Sequence, residues 1–341
     1  MKTSPFHMRR RQKFLSENLY EKTRSNQLLL IDGGLANIKI TSSAQSRSTI
    51  HQFLYLDTFW IWMLDYTAGM PIDELAPRIS DIVEALEAWN DVDQLFQQEA
   101  ALEFPEFGSY EYGGAPDFST VFDYENTLQL LSIAILLRDL RSVSRIIYML
   151  RTHRGQDGLF EQLIAGYAED ENNLDTCVLG KPFDILLQVF YEDNEKATLN
   201  LLHKYLKQWY SAMKDHPRWY NEHLKVNEEG YAGYYGYWSF EAGAAVFLLD
   251  IDDSQIDHLV YPKDLVDYAR KLREENRFTS RENEVISVSG CVEGGQPCRQ
   301  TGFWETPAKL HSRAHFAQGE IMPTFSDSQY GSTIWQWSTE Q

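Results

Sequence analysis

Along most of the chain, apolar side chains recur every three or four residues, the spacing of helices that bury one face. Ile79, Ile82, Val83, Leu86 and Trp89 fall on one side of such a helix, and Asp81, Glu84, Glu87 and Asp91 on the other. Thr49 to Met70 predicts a long apolar helix ending before Pro71, and Asp57 and Asp65 inside it argue against a membrane span. Leu128, Leu131, Ile135, Leu136, Leu140, Val143, Ile147 and Leu150 predict a buried helix over Asn126 to Leu150. His7 to Arg24 reads as a basic amphipathic segment, Asp184–Phe190 and Glu195–Tyr210 as a helical pair, and Trp238–Leu249 and Lys263–Glu275 as later helices. Breaks are expected at Gly155–Gly158, Gly180–Pro182 and Asp252–Ser254. There is no fixed repeat period, so no regular solenoid is expected.

The pattern changes near Arg281. Val285, Ile286 and Val288 are followed by Gly290, Gly294, Gly295, Pro297 and Gly302, and the chain ends with Thr333, Trp335 and Trp337 alternating with Ile334 and Gln336. That is the vocabulary of turns and strands. The expected fold is mainly α: an irregular multi-helix domain of packed helical hairpins over 1–280, then a small β-rich module over 281–341 (α+β overall).

Charge sharpens this picture. The 341 residues carry 31 Lys and Arg against 50 Asp and Glu, a net charge of −19. That balance disfavours direct nucleic-acid binding and an anionic membrane surface, and it suits a basic partner. The excess is concentrated: between Asp73 and Glu125 there are 14 carboxylates against the single cation Arg78. Met1–Arg24, by contrast, has seven basic and two acidic residues. After the predicted acidic helix, Glu99, Glu103, Glu106, Glu111 and Asp117 continue through a stretch with Pro105, Gly113, Gly114 and Pro116, which reads as an exposed loop. Phe104, Phe107 and Tyr110 interleave with those carboxylates, as do apolar anchors in a binding patch. With three cysteines and no apolar stretch after the N-terminal arginines, a reducing cytoplasm is expected.

Chemical motifs are sparse. Cys291, Cys298, His311 and His315 form C-x6-C-x12-H-x3-H, a set of zinc-type ligands with a wide first gap. The run from Tyr231 to Trp238 could stack on sugars or pack a helix entry, and Glu241 could serve that helix or pair with a base. No phosphate-binding, zinc-protease, hydrolase or dinucleotide fingerprint is present. No cofactor and no catalytic residue are expected.

Two longer patterns carry a resemblance. Tyr234 to Asp253 resembles the signature of helical immunity proteins of bacterial polymorphic toxins, in which a Tyr-Trp (here Tyr237 and Trp238) and a helix-opening Glu-Ala (Glu241) precede an Ile-Asp-Asp end (Asp252 and Asp253). Asp123–Asp139 and Arg9–Tyr20 are similar to earlier helices of that group, which includes the PoNi-type proteins that neutralise nuclease toxins. Gly295–Trp304, Thr306–Ala308, Ser312, Arg313, Phe316, Gly319, Glu320, Met322, Pro323 and Thr333–Trp337 resemble the C-terminal module of the Imm71/Imm72 immunity proteins. Arg299 stands where a proline is commoner there, and the usual cysteine corresponds to Cys298.

The resemblance implies neutralisation of a cognate toxin, commonly a type VI or Rhs-type effector. Combined with the charge, it suggests occlusion of a basic toxin domain, such as a nuclease, by the acidic face. Two other classes stay open from sequence: an enzyme or zinc module that reverses toxin damage, and a glycan-binding module built on the aromatic run. Trp304, Trp335, Trp337 and Arg313 are expected to stabilise the C-terminal module, with Arg313 able to clamp Glu320.

Overall fold

The structure is a computed structural model that describes residues 5–103, 115–168, 172–215, 218–282, 291–298, 301–306, 309, 312–325 and 333–337. It divides into two units, Met1–Arg273 and Glu274–Gln341.

The first unit is helical. It contains α1 (Phe6–Arg9), α2 (Glu17–Ile38), α3 (Ala44–Thr67), α4 (Ile72–Leu75), α5 (Ile79–Glu103), α6 (Val121–Leu136), α7 (Leu140–Met149), α8 (Gly158–Ile164), α9 (Phe183–Phe190), α10 (Glu195–Ala212) and α11 (Phe240–Leu248), and α12 (Lys263–Glu282) begins in it. The starts are set by short polar side chains that accept an otherwise unpaired amide of the first turn. Ser16 accepts from Leu19 N, Thr120 from Asp123 N, Asp157 from Phe160 N and Asn194 from Ala197 N. α3 packs between α2 and α5, α11 lies against α6, and α9 pairs with α10.

Three sequence expectations need revision. The His7–Arg24 segment is not one helix: after α1 the chain bends, because Ser16 restarts the helix and Arg11 turns inward to donate to the carbonyls of Tyr66 and Met70. The helix expected over Asn126–Leu150 breaks in two at Arg138, whose φ is 56°, and Asp139 caps α7 through the amide and hydroxyl of Ser142. Finally, α5 continues as helix to Glu103.

The aromatic segment 231–239 runs through the core outside any helix or strand and leads into α11 at Phe240, as the packed helix entry expected from sequence. Tyr234 and Tyr237 are fully buried, and Tyr235 and Trp238 nearly so, which removes them as a platform for sugars. A buried backbone outside any sheet must find its hydrogen-bond partners among side chains. Gln12 Nε2 donates to the carbonyls of Tyr237 (2.6 Å) and Leu259 (3.0 Å), and its Oε1 accepts from Tyr237 N (2.9 Å) and the Tyr234 hydroxyl (2.7 Å). Gln129 donates to the Trp238 carbonyl and accepts from Phe240 N. Thr67 Oγ1 donates to the Tyr235 carbonyl and accepts from Trp238 Nε1. Gly236, at φ 117°, sits so close to Thr67 Oγ1 and the Trp238 indole that a Cβ would overlap both.

Charge is distributed asymmetrically across this core. Asp57, Asp65, Asp123, Glu125, Asp157, Glu161, Glu241 and Asp253 are buried, whereas no Lys or Arg is buried among the described residues. Cations reach inward from half-exposed positions. Asp65 accepts from Arg24 Nε (2.9 Å), Arg78 Nη1 (2.8 Å) and the Tyr20 hydroxyl (2.9 Å). Asp264 holds Arg11. The N-terminal basic segment is thus spent partly on the chain's own carboxylates, one buried and one exposed.

In the second unit, β1 (Cys291–Glu293), β4 (Ile334–Trp337), β2 (Gly302–Glu305) and β3 (Ala314–Phe316) form an antiparallel sheet in that order. Val292, Cys298, Trp304, Phe316, Met322 and Trp335 make its core. The Trp335 indole is pinned to the Pro323 carbonyl at 2.7 Å.

Replacing Gln12 with Ala strands two carbonyls, an amide and a hydroxyl in the core. The expected loss is about 2–4 kcal/mol of stability, read as a lowered urea midpoint. A midpoint equal to that of the unmodified protein would show that the extended segment does not depend on Gln12.

Candidate functional site

The signature residues form buried polar centres. Glu241, in the first turn of α11, is fully buried, and its Oε1 accepts from the Tyr205 hydroxyl (2.6 Å), Trp209 Nε1 (2.9 Å) and Ser239 Oγ (2.8 Å). No base stands beside it among these contacts, and burial pushes its pKa above the usual carboxylate value. Tyr237 meets His223 Nδ1 at 2.8 Å, and Trp238 reaches Thr67. Asp253 accepts from the Tyr261 hydroxyl (2.6 Å), Lys263 Nζ (2.7 Å) and Arg270 Nη1 (2.6 Å). Burial opposes its charge, yet Lys263, Tyr261 and Arg270 together hold its pKa below the ordinary value. The exposed Asp252 closes the turn by accepting from Ser254 N.

With this geometry in view, the comparisons can be read. Residues 155–265 match the family described as PoNe immunity proteins (PoNi), C-terminal. Over that third of its length, the chain is similar to the PoNi immunity proteins. The matched span runs from the approach to α8 to the start of α12 and contains Glu241, Asp253 and the extended aromatic segment. No curated protein matches in sequence. Among solved structures, the chain is similar to protein PA2201 from Pseudomonas aeruginosa, with a TM-score of 0.58 and 19% identity over 77% of this chain and 92% of that one. At that identity the likeness concerns the fold alone.

Similarity to immunity proteins directs attention to the outer surface. On α5, Asp81, Glu84, Asp91, Leu95, Glu99 and Leu102 follow one another at steps of three, four or seven residues and lie along one exposed side. Leu95 and Leu102 are 55% and 84% exposed. Ile79, Ile82, Val83, Leu86 and Trp89 are buried on the opposite side.

Not every carboxylate of the acidic block belongs to this face. Glu87 is held by Arg145 through two charge-assisted bonds, 2.6 and 2.8 Å. Asp93 accepts from Ser48 Oγ at 2.6 Å, and Asp123 and Glu125 are buried. Asp117, half-buried, accepts the amide and hydroxyl of Ser119. Of the residues singled out in sequence as partner-binding, Glu99 is exposed on α5, Glu103 ends that helix, and Phe104, Glu106, Phe107, Tyr110 and Glu111 lie outside the described residues. Leu95 and Leu102 were missed, although their spacing from Asp91 and Glu99 was legible.

In the C-terminal unit, Trp304 and Trp335 are buried, and Trp337 pairs with Trp304 across β4 and β2. Arg313 lies over the Phe303 ring at 4.6 Å, while the Glu320 carboxylate accepts from Ala317 N. Of the four zinc-type residues, His311 and the side chain of Cys291 lie outside the described residues. Cys298 is in the core, and His315 is exposed against Phe303. No cluster of three metal-type ligands occurs among the described residues, and no described helix is long and apolar enough to cross a membrane.

Asp123 gives a pH test of the acidic block. Burial, opposed by the Asp117 amide and the Thr120 hydroxyl and reinforced by the Asp117 and Asp93 charges, raises its pKa to about 6. The folded state then binds the proton more tightly than the unfolded chain, so this group's stabilisation is present at low pH and is lost as pH rises through that value. Asp123→Asn should therefore flatten the decline in stability between about pH 4 and 6, a change of about 2–3 kcal/mol across the window. Parallel pH–stability curves for the two proteins would contradict this.

Proposed function

We propose that this protein neutralises a basic toxin domain, a nuclease delivered as a type VI or Rhs-type effector, by occluding its substrate-binding surface with the outer face of α5. The observation that carries this reading is the α5 stripe. Asp81, Glu84, Asp91 and Glu99 are exposed there and make no ion pair with a described residue. Like charges held this close on one helix repel, and a cationic partner relieves the repulsion.

A nuclease is basic where it holds the phosphate backbone, so an acidic surface of matching shape competes for the same groove. The charge draws the partners together, while Leu95 and Leu102 supply apolar contact that charge alone lacks. Glu103, Phe104, Glu106, Phe107, Tyr110, Glu111 and Asp117 extend the proposed surface in sequence. Protection by occlusion needs no catalytic group and no cofactor, and it takes place in the cytoplasm, where the toxin's nucleic acid is found.

The test is co-purification with the polypeptide encoded next to it, followed by reversal of Asp81, Glu84, Asp91 and Glu99 to Lys. The complex should weaken roughly tenfold or more at low salt, and the difference should shrink as salt rises. Unchanged affinity after the fourfold reversal would place the interface elsewhere.

A further inference from the structure

We infer that a cavity between α2, α3 and the extended aromatic segment takes a lysine or arginine side chain of the toxin, with Asp57 as its counter-ion. This rests on the reading of the chain as a toxin-binding immunity protein, but it concerns a different surface from the α5 stripe. The cavity holds about 590 Å³, and its lining includes Gln27, Leu30, Phe53, Leu54, Asp57 and Trp60.

Asp57 is only 5% exposed, yet it lines this space. Among the described residues it receives one hydrogen bond, from Gln27 Nε2 to Oδ1 at 2.9 Å, which leaves Oδ2 for an occupant. Comparison with the other buried carboxylates shows what is missing. Asp65, Glu161 and Asp253 each touch a cation of the chain itself. Asp157 is closed in by several neutral donors, and Glu241 by three on Oε1 alone, its Oε2 meeting none among the described residues. Asp57 touches no described cation and receives a single donor, and of the buried carboxylates it is the one that lines this cavity.

Arg218 shares the cavity wall but makes no described ion pair with Asp57. Its guanidinium lies over the Trp60 ring at 3.9 Å and donates to the Tyr235 hydroxyl at 3.3 Å. Burial raises the Asp57 pKa, and the Gln27 hydrogen bond and the nearby Arg218 charge offset that only in part.

The walls select the occupant. A long basic side chain lays an apolar stem along hydrocarbon and carries its charge at the tip. Leu30, Phe53 and Leu54 fit the stem, and Asp57 fits the tip. Leu29 and Phe53, 70% and 52% exposed, give the mouth an apolar rim for the backbone on either side of the inserted residue. The net charge of −19 favours a cationic visitor over an anionic one.

Two variants test this with the purified toxin domain as the probe. Asp57→Asn keeps the shape and the Gln27 contact while removing a buried charge, so the free protein should melt no lower. Its toxin affinity should fall roughly 30-fold or more, and the loss should persist at high salt, because a cavity pair is poorly screened. Gly33 lines the cavity with open space where its side chain would be, so Gly33→Phe should fill the cavity without disturbing α2 and weaken binding similarly. Wild-type affinity in both variants, with the wild-type complex intact, would overturn the cavity proposal and leave the immunity reading standing. If the wild-type protein forms no complex with the toxin, both fall.

Discussion

An extended backbone crosses the interior of the helical unit with no strand beside it, and that sets terms for everything packed around it. Each amide and carbonyl from Tyr234 to Ser239 needs a partner in a buried region, and an unmet one costs about 1–3 kcal/mol. Side chains from distant helices meet the need: Gln12 ahead of α2, Thr67 on α3 and Gln129 on α6, with Thr23 on α2 accepting the amide of Ala232 just upstream. All four precede the span that matches the PoNi family. That span is therefore not a self-sufficient folding unit. Its central segment is satisfied only when the N-terminal helices are in place, which ties the two parts of the unit into one cooperative structure.

The treatment of charge follows the same economy. Carboxylates occupy the interior and cations stay at its edge, their long stems letting a guanidinium touch a buried acid from a half-exposed position. Arg24 and Arg78 on Asp65, Arg154 on Glu161 and Arg270 on Asp253 all work this way. Surface cations are drawn inward, and the outer carboxylates of α5 are left with fewer partners than the composition suggests. A residue count hides this second effect, because Glu87 and Asp123 enter the sum equally although one is paired and the other buried.

Periodicity made the long helices legible. The five apolar positions from Ile79 to Trp89 are buried as expected, and the carboxylates at 81, 84 and 91 face outward. What periodicity could not show was termination. Helix continuation past Trp89 and the break at Arg138 turn on capping and on a single left-handed residue, signals only one or two positions long. The aromatic run was legible as a packed helix entry, but its path was not: its rings announce burial in any secondary structure, and its course depends on Gln12, more than 200 residues away in sequence. Asp57 and Asp65 entered the sequence argument only as interruptions of an apolar stretch. Their distinct roles, one neutralised by two arginines and one facing a cavity, depend on which helices come alongside, and no local pattern encodes that.

The two proposed contact regions would act on different parts of a binding reaction. Exposed carboxylates on α5 act at a distance, through a field that salt screens within about 10 Å, and so they govern how often a basic partner arrives in a useful orientation. A carboxylate at the end of an apolar cavity is felt only after a side chain has entered and shed its water, and so it governs how long the partner stays. An immunity protein must capture a scarce toxin before it finds its substrate and then hold it. A surface carrying only the stripe would meet the first requirement and release its partner readily, whereas a closed anchor alone would hold well but find its target slowly. Asp57 also carries a standing cost, since its buried charge lacks the contact cation that Asp65 enjoys. A fold tolerates such a cost most readily where an incoming partner relieves it, and the relief then appears as affinity.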